Sequence, residues 1–182
     1  MIGELPKSLE IDNATYEINS DFRVALLIFQ AFNDPELDQY CKALVCLKCL
    51  YKEEVPTNTE QAIKKAMWFL DGGDTPKSQN QRKILDWEQD ESIIFPAINK
   101  VAGYETREVK YLHWWTFLGL FNEIGDGLFS QVMNIRSKKS KGKKLEKWER
   151  EFYSTHKELI DLKRKATSQD EQQELDFINS IF

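Results

Sequence analysis

Three cysteines with close spacing are the residues that most resemble a chemical site in this sequence. Cys41, Cys46 and Cys49 fall within nine residues of one another. A structural zinc site needs four ligands, usually from two paired elements, and no second pair accompanies these three. Thioredoxin-like redox chemistry needs a CxxC at a helix N-terminus after a strand, whereas this CxxC lies inside a predicted helix. We interpret the cysteines as reduced structural thiols that bind no metal.

The histidines, carboxylates and glycine pairs form no recognisable catalytic set either. His113 stands beside two tryptophans and His156 lies among charged residues, and neither has a nucleophile at a suitable spacing. His113 is therefore predicted to be a core residue. The acidic residues between positions 86 and 91 suit the start of a helix, where the macrodipole favours negative charge. Gly72-Gly73 and Gly125-Asp126-Gly127 lack the lysine and strand context of phosphate-binding loops. The sequence predicts no catalytic, metal-binding or cofactor-binding residues, and a protein that is not an enzyme.

A basic segment is the strongest departure from an ordinary composition. Residues 136 to 150 hold eight basic and two acidic residues, a local charge of +6 that leaves −11 for the rest of a chain whose total is −5. Like charges repel, and Gly142 with two serines adds freedom, so residues 136–144 are predicted to form a flexible basic strap. Its candidate partner-binding residues are Lys138, Lys139, Lys141, Lys143 and Lys144.

Three uses of the strap remain open at this stage: a solvated linker, a docking site for an acidic protein, or a nucleic-acid contact. A second copy of this chain would qualify as the acidic protein, because the remainder of the chain is strongly negative. The same negative charge repels phosphates, so nucleic acid is the less favoured partner.

The elements that must position these residues are mostly helices. The 182 residues are 41% hydrophobic with 12% aromatic residues, and they include only eight glycines and five prolines. That composition suits a compact, mostly α multi-helix domain with a small N-terminal β-hairpin. We expect one domain: hairpin and lead-in over residues 1–20, a helical core over 21–135, the strap over 136–144, and C-terminal helices over 145–182.

Turn and capping residues set the expected element boundaries. Asp12-Asn13 predicts the hairpin turn, because both residue types tolerate positive φ. Asp34 and Pro35 predict the start of a helix that continues to about Tyr51. A further helix is expected over Thr59–Leu70, and a last one after Ser168, which has capping-box spacing to a glutamate.

The most apolar predicted helix runs from Arg107 to Ile124. Apolar side chains occupy nearly all of its faces, which is typical of a helix inside a core. On this helix we expect Trp115 or Leu118 to be buried. After it, a short helix should run from Leu128 to about Arg136.

No segment of the sequence predicts a membrane protein. The longest apolar run, Tyr111–Phe121, is well short of the roughly 20 residues that span a bilayer. The N-terminal residues carry no apolar stretch of signal-peptide length. Together with the reduced cysteines, these observations favour a cytosolic protein.

Several short motifs resemble those of a small family of proteins from tailed bacteriophages and prophages of Gram-positive bacteria. They are DWEQD at residues 86–90, LHWW at 112–115, FSQVMNIR at 129–136, AMWFLDGG beginning at Ala66, and the helix from Asn33 to Tyr51. The similarity therefore spans most of the chain.

The resemblance implies a tail assembly chaperone, because members are typically encoded beside the gene for the tape-measure protein. The implied partner is that tape-measure protein, a long helical protein kept soluble in the host bacterial cytoplasm until the tail tube polymerises around it. The resemblance transfers no catalytic residue. Two other phage roles remain as alternatives: a structural virion or head–tail connecting component, and a nucleic-acid-binding protein that uses the basic strap.

Overall fold

The described part of the chain is mostly α-helical with one two-stranded hairpin, as the sequence predicts. A computed structural model describes residues 3–74 and 84–163. Their elements in chain order are β1 (Ser8–Ile11), β2 (Ala14–Glu17), α1 (Phe22–Phe32), α2 (Gln39–Leu50), α3 (Thr59–Leu70), α4 (Glu91–Ala102), α5 (Trp114–Asn122), α6 (Leu128–Ser140), α7 (Lys147–Thr155) and α8 (Lys157–Ile160). The helix predicted after Ser168 lies outside the described residues.

The hairpin forms around the predicted turn. Asp12 and Asn13 have φ values of 50° and 65°, as a two-residue type I′ turn requires. Leu9 and Ile11 of β1 are buried, and β1 packs against α3. Gln61 of α3 contacts the turn that the local residues form: its Oε1 accepts a hydrogen bond from the Asp12 backbone N at 2.9 Å.

Side-chain caps begin the first three helices, and one of them corrects the predicted start of α2. The predicted start at Pro35 is wrong: α2 begins at Gln39, and the Asp38 carboxylate accepts a hydrogen bond from the Cys41 backbone N at 2.7 Å. Asp34 instead closes a local turn by accepting from the Glu36 N. The prediction for α3 is confirmed, with Asn58 as its N-cap.

The predicted helix from Arg107 to Ile124 is also wrong at its N-terminal end, since α5 begins only at Trp114. Long-range hydrogen bonds hold the preceding residues outside any helix. The Leu112 N donates to Asp21 Oδ2 at 3.1 Å, and the Val109 carbonyl accepts from Arg23 Nη2 at 2.7 Å. These bonds satisfy backbone groups that would otherwise favour helix formation.

The register of α5 places different side chains in the core from those expected. Trp114 and Phe117 are buried, whereas Trp115 and Leu118 are half-buried against the core. The core is one hydrophobic cluster to which β1 and helices α1 to α6 and α8 contribute. Among the described residues, no helix combines the length and the apolar character needed to cross a membrane.

The basic strap is not a flexible segment along its whole length. Helix α6 continues past Arg136 to Ser140, so residues 136–140 are helical. Specific side-chain contacts, given below, hold this last part of α6 in place. The sequence has no apolar residues after Ile135 in this helix, so periodicity alone does not predict its last turn. Ionic contacts stabilise that turn instead.

Candidate partner-binding surfaces

Two of the five predicted strap lysines are paired within the protein. The Lys138 Nζ lies 2.6 Å from Glu149 Oε1, and the Lys139 Nζ contacts an Asp161 carboxylate oxygen at 2.5 Å. The hydrogen bond to Glu149 raises the pKa of Lys138, and the same bond lowers the pKa of Glu149. These two lysines therefore fasten α6 to α7 and to the end of α8.

The other three lysines form a basic loop, Lys141–Lys144, which is exposed. Gly142 has a φ of +66°, and the Lys143 N donates to the Lys138 carbonyl, so the loop ends α6 in a defined turn. No acidic side chain among residues 3–74 and 84–163 pairs with Lys141, Lys143 or Lys144. A partner that contacts the predicted strap would therefore meet these three charges first.

Arg136 lies at the centre of a buried ionic network that the sequence interpretation missed. Its Nη1 and Nη2 donate to both carboxylate oxygens of Asp90 at 2.6 and 2.8 Å. The same guanidinium donates to three carbonyl oxygens, those of Ile84, Leu159 and Ile160. All five donors are used, and both charged side chains are almost fully buried. The network joins the last residue of DWEQD to the last residue of FSQVMNIR.

One sequence signal could have revealed Arg136. It falls on the same helical stripe as Phe129 and Val132, both of which are buried. A charged residue on an apolar stripe requires a buried partner. The sequence predicts only helix-start charges near position 90, and the structure shows that Asp90 is the buried partner of Arg136.

The LHWW motif is a second interior network. The His113 Nδ1 accepts from the Trp115 backbone N at 3.0 Å, which caps α5, and Nε2 donates to the Pro6 carbonyl at 2.9 Å. The indole nitrogens of Trp114 and Trp115 donate to the carbonyls at the end of α3, each at 2.8 Å. Burial lowers the pKa of His113. The prediction that His113 is a core residue is confirmed.

Gly73, the last residue of AMWFLDGG, belongs to the same arrangement. Its φ is +90°, and a Cβ placed there would lie 2.8 Å from the Trp115 ring. A side chain at this position would therefore push the ring away from the end of α3. Together with the Trp hydrogen bonds, this contact shows why the two motifs occur together: both build the interior.

The cysteines have the structural setting that their position in a helix predicts. Cys46 is buried, and burial raises the pKa of its thiol to about 12. Cys41 and Cys49 are half-buried, and none of the three forms a disulfide. Within the described part of the chain, no group of three or more histidine, cysteine and acidic side chains could hold a metal ion.

An open cleft with several apolar lining residues lies between α1 and α4. Its volume is about 500 Å³. Its apolar residues are Phe22, Leu26, Leu27, Trp87 and Phe95. Leu27 is 56% exposed, which is high for a leucine beside a core. A cleft of this size and composition suits side chains from an apolar segment of a partner.

Two arginines line the α1–α4 cleft and stack on its aromatic walls. The guanidinium of Arg23 lies 4.6 Å from the Phe22 ring, and that of Arg107 lies 5.0 Å from the Phe95 ring. Arg107 also donates to Glu105 at 2.7 Å, and this bond holds the pKa of Glu105 at about 2. Asp86, Glu88 and Glu91 also line the cleft, so charges of both signs surround its apolar floor.

A second open cleft of about 490 Å³ lies between α4 and the α5–α6 turn. Pro96, Val101 and Leu128 are among its lining residues, and Leu128 is 45% exposed. It lacks the tryptophan and arginine side chains of the α1–α4 cleft, which are the residue types that contribute most at protein interfaces. The α1–α4 cleft is therefore the stronger candidate for binding a partner.

Comparison with known proteins gives one match. A protein-family model described as Bacteriophage Gp15 protein matches residues 1–162. The matched range contains all the motifs, both clefts and the basic loop. No curated protein and no solved structure matches the chain.

Proposed function

The chain belongs to the bacteriophage Gp15 protein family, and from this premise we propose that it is a tail assembly chaperone that keeps the tape-measure protein soluble. The motifs quoted from the sequence resemble those of phage proteins encoded beside the tape-measure gene. A chaperone of this kind needs an apolar surface that can receive an amphipathic helix, and a charged exterior that keeps the complex in solution.

The observation that carries the proposal is the α1–α4 cleft with its exposed Leu27. An amphipathic helix binds a groove through apolar residues spaced three and four apart, and it leaves its polar face in water. Leu26 and Leu27 with the aromatic walls would receive those residues. The cleft lining carries both signs of charge, Arg23 and Arg107 beside Asp86, Glu88 and Glu91, and these charges would contact the polar flanks of the helix.

The direct test is co-expression with the tape-measure protein encoded in the same genome, followed by measurement of its soluble fraction and a pull-down. We expect the wild-type chain to raise the soluble fraction and to co-purify with the client. Leu27→Glu should abolish both effects, because it places a carboxylate on the apolar floor. Leu5→Glu is the matched control, since Leu5 is 45% exposed and lies outside the cleft.

The outcomes separate the binding site from the function. If Leu27→Glu solubilises the client as well as the wild-type chain does, the cleft is not the client site. If the wild-type chain neither binds nor solubilises the client, the chaperone proposal is wrong.

A virion analysis distinguishes the chaperone from a structural component. A chaperone leaves before the tail is complete, so quantitative mass spectrometry of purified virions should find no stoichiometric amount of this chain. A constant copy number per virion would instead support the structural or head–tail connecting role.

A second candidate function rests on the basic loop. Lys141, Lys143 and Lys144 are exposed without an acidic partner in the described structure, so they are available to phosphates or to an acidic protein. Nucleic-acid binding would show as salt-dependent retention of DNA or RNA that is lost when all three are changed to glutamate. Loss of an oligomer in sedimentation after the same change would indicate self-association instead.

A further inference from the structure

Strand β1 has an outer edge whose backbone groups are open at two residues. The Ile18 N donates to the Lys7 carbonyl at 3.0 Å, so the backbone groups of Lys7 are turned towards β2. Successive residues of an antiparallel strand turn their backbone groups to opposite edges, so those of Ser8 and Glu10 are turned away from β2. Within the described part of the chain, no other element forms a hydrogen bond with them there.

Side chains from other elements satisfy the backbone on either side of these two residues. The Pro6 carbonyl accepts from His113 Nε2, and the Asp12 N donates to Gln61 Oε1, each at 2.9 Å. An exposed strand edge with unpaired N–H and C=O groups is a template for pairing with another strand. The open part of this edge offers four hydrogen bonds, two from each of its residues.

A groove of about 420 Å³ lies along this edge, between β1 and α3, and is called the β1–α3 groove below. Ser8 and Glu10 line its strand side, and Lys64, Lys65 and Trp68 line its helix side. Trp68 is half-buried and provides an apolar surface beside the strand. A strand edge next to a helix suits an extended peptide, because backbone bonds to the edge give affinity and side-chain contacts give specificity.

The charges of the β1–α3 groove favour an acidic occupant. Lys64 pairs with Glu60 at 2.6 Å, whereas no acidic side chain of the described structure pairs with Lys65. Glu10 also lines the groove, but its side chain lies on the face of the hairpin opposite to Leu9, which is buried against the core. An acidic side chain directed towards α3 would therefore meet Lys65 on that side, and Glu10 lies on the other.

The same charges disfavour a second copy of this chain as the occupant. Two β1 edges paired about a two-fold axis would form one continuous sheet with both α3 helices on the same face. The lysines of one groove would then face the lysines of the other, and like charges repel. An acidic segment of a different protein avoids this repulsion.

We propose that the β1–α3 groove binds an extended segment of a partner protein as an added antiparallel strand. Ser8 and Glu10 form four backbone hydrogen bonds with this segment. The residue opposite Leu9 is apolar and packs against Trp68, and an acidic residue two positions away contacts Lys65. The groove shares no lining residue with the α1–α4 cleft, and the inference is independent of the proposed function.

Amide NMR titration of the full chain with a synthetic peptide tests the proposal. The probe is acetyl-Thr-Asp-Thr-Val-Thr-Asp-Thr-amide, whose valine would lie opposite Leu9. We expect it to shift the amide signals of Ser8 and Glu10 and the indole signal of Trp68. Methylating the backbone nitrogens of its third and fifth residues, which would face β1, should weaken binding about ten-fold. Methylating the valine nitrogen, which would face away from β1, is the matched control.

Variants of the protein test the same contacts from the other side. Glu10→Pro removes the outward N–H, and an edge strand tolerates proline where the N–H makes no ladder bond. Thr15→Pro is the matched control, because Thr15 is the register partner of Glu10 and its N–H lies on the opposite edge of the hairpin. Glu10→Pro should weaken probe binding about ten-fold, and Thr15→Pro should leave it unchanged. Lys65→Glu should weaken it about five-fold.

Four results would overturn the proposal. Absence of shifts at Ser8 and Glu10 at millimolar probe would show that the edge accepts no added strand. Equal weakening by the two methylated peptides would exclude backbone pairing with β1, and this comparison uses the wild-type chain, so it does not depend on the folding of a variant. Binding that Lys65→Glu leaves unchanged would refute the acidic contact. A dimer in sedimentation that Glu10→Pro abolishes would show that the edge pairs with a second copy instead.

Discussion

Replacing Arg136 should destabilise the protein far more than replacing any exposed arginine. Arg136→Met keeps a long side chain on the same stripe but removes every contact of the guanidinium. The Asp90 carboxylate, with no exposed surface, would then be a buried charge without its counterion. The carbonyls of Leu159 and Ile160 would lose their donors as well.

The expected magnitude follows from this geometry. Removing one partner of a buried ion pair costs about 3–5 kcal/mol in the free energy of unfolding. Asp90→Asn should cost a similar amount, about 3–5 kcal/mol, because it leaves the buried Arg136 guanidinium without its counterion. The double variant should lose less unfolding free energy than the sum of the two single losses. It contains neither charge, so no buried charge is left without a partner.

Urea unfolding followed by circular dichroism measures these free energies, and hydrogen exchange locates the change. We expect the amides of α8 and residues 161–163 to exchange faster in Arg136→Met, since Arg136 ties that segment to α6. Arg150→Met is the control, because Arg150 is exposed and makes one bond to the Leu145 carbonyl. A loss for Arg136→Met below about 1 kcal/mol, with wild-type exchange in α8, would refute this reasoning.

Three further predictions test the remaining structural assignments. Trp114→Ala should lower the free energy of unfolding, measured in urea, by about 3–5 kcal/mol, and Trp115→Ala should lower it by less because that ring is half-exposed. Equal losses would contradict the burial assignment. Burial lowers the pKa of His113 from its ordinary value of 6.5. As the pH falls, the unfolded chain therefore binds a proton at His113 before the folded chain does. The free energy of unfolding should accordingly decrease as the pH is lowered from about 7.5 to about 5.5. In His113→Asn, which can cap a helix but cannot titrate, that fall should be smaller; an equal fall would exclude His113 as its source. Changing the three lysines of Lys141–Lys144 to glutamate should leave the melting temperature unchanged. Lys138→Glu should lower it, because the new carboxylate would repel Glu149. Equal shifts in melting temperature would contradict the pairing of Lys138.

Local signals in the sequence predicted those elements that local interactions determine. The hairpin turn at Asp12-Asn13 needs only two residues that tolerate positive φ, and the structure has both. Helix α3 has its cap at Asn58, a periodic apolar face and a glycine pair after its last turn, and its predicted bounds are correct. In each case the deciding contacts lie within a few residues of one another.

The errors occur where distant contacts decide. Asp34 and Asp38 are both adequate caps in isolation, and α2 begins after Asp38 in a structure where it packs against α1. Residues 107–113 have helical periodicity, but hydrogen bonds to Asp21 and Arg23 hold that part of the chain in another conformation. A single sequence does not show which of two compatible local conformations the rest of the fold will favour.

The candidate surfaces were harder to predict than the fold. The sequence identified the basic residues but could not show that Glu149 and Asp161 pair with two of them. It also gave no sign of the α1–α4 cleft, because Leu27 and Trp87 are far apart in the chain and belong to ordinary apolar patterns. A binding surface formed by separate elements appears only when those elements are packed together.

The family motifs and the candidate binding surfaces lie in different parts of the molecule. Arg136, Asp90 and Trp114 belong to the interior, and their contacts account for the motifs by folding alone. Leu27 and the lysines of the basic loop lie on the surface. Resemblance through these motifs is therefore strong evidence for a shared fold and only indirect evidence for a shared partner. The Arg136→Met and Leu27→Glu variants separate the two properties: the first should lose stability, and the second should lose client binding while it unfolds like the wild-type chain.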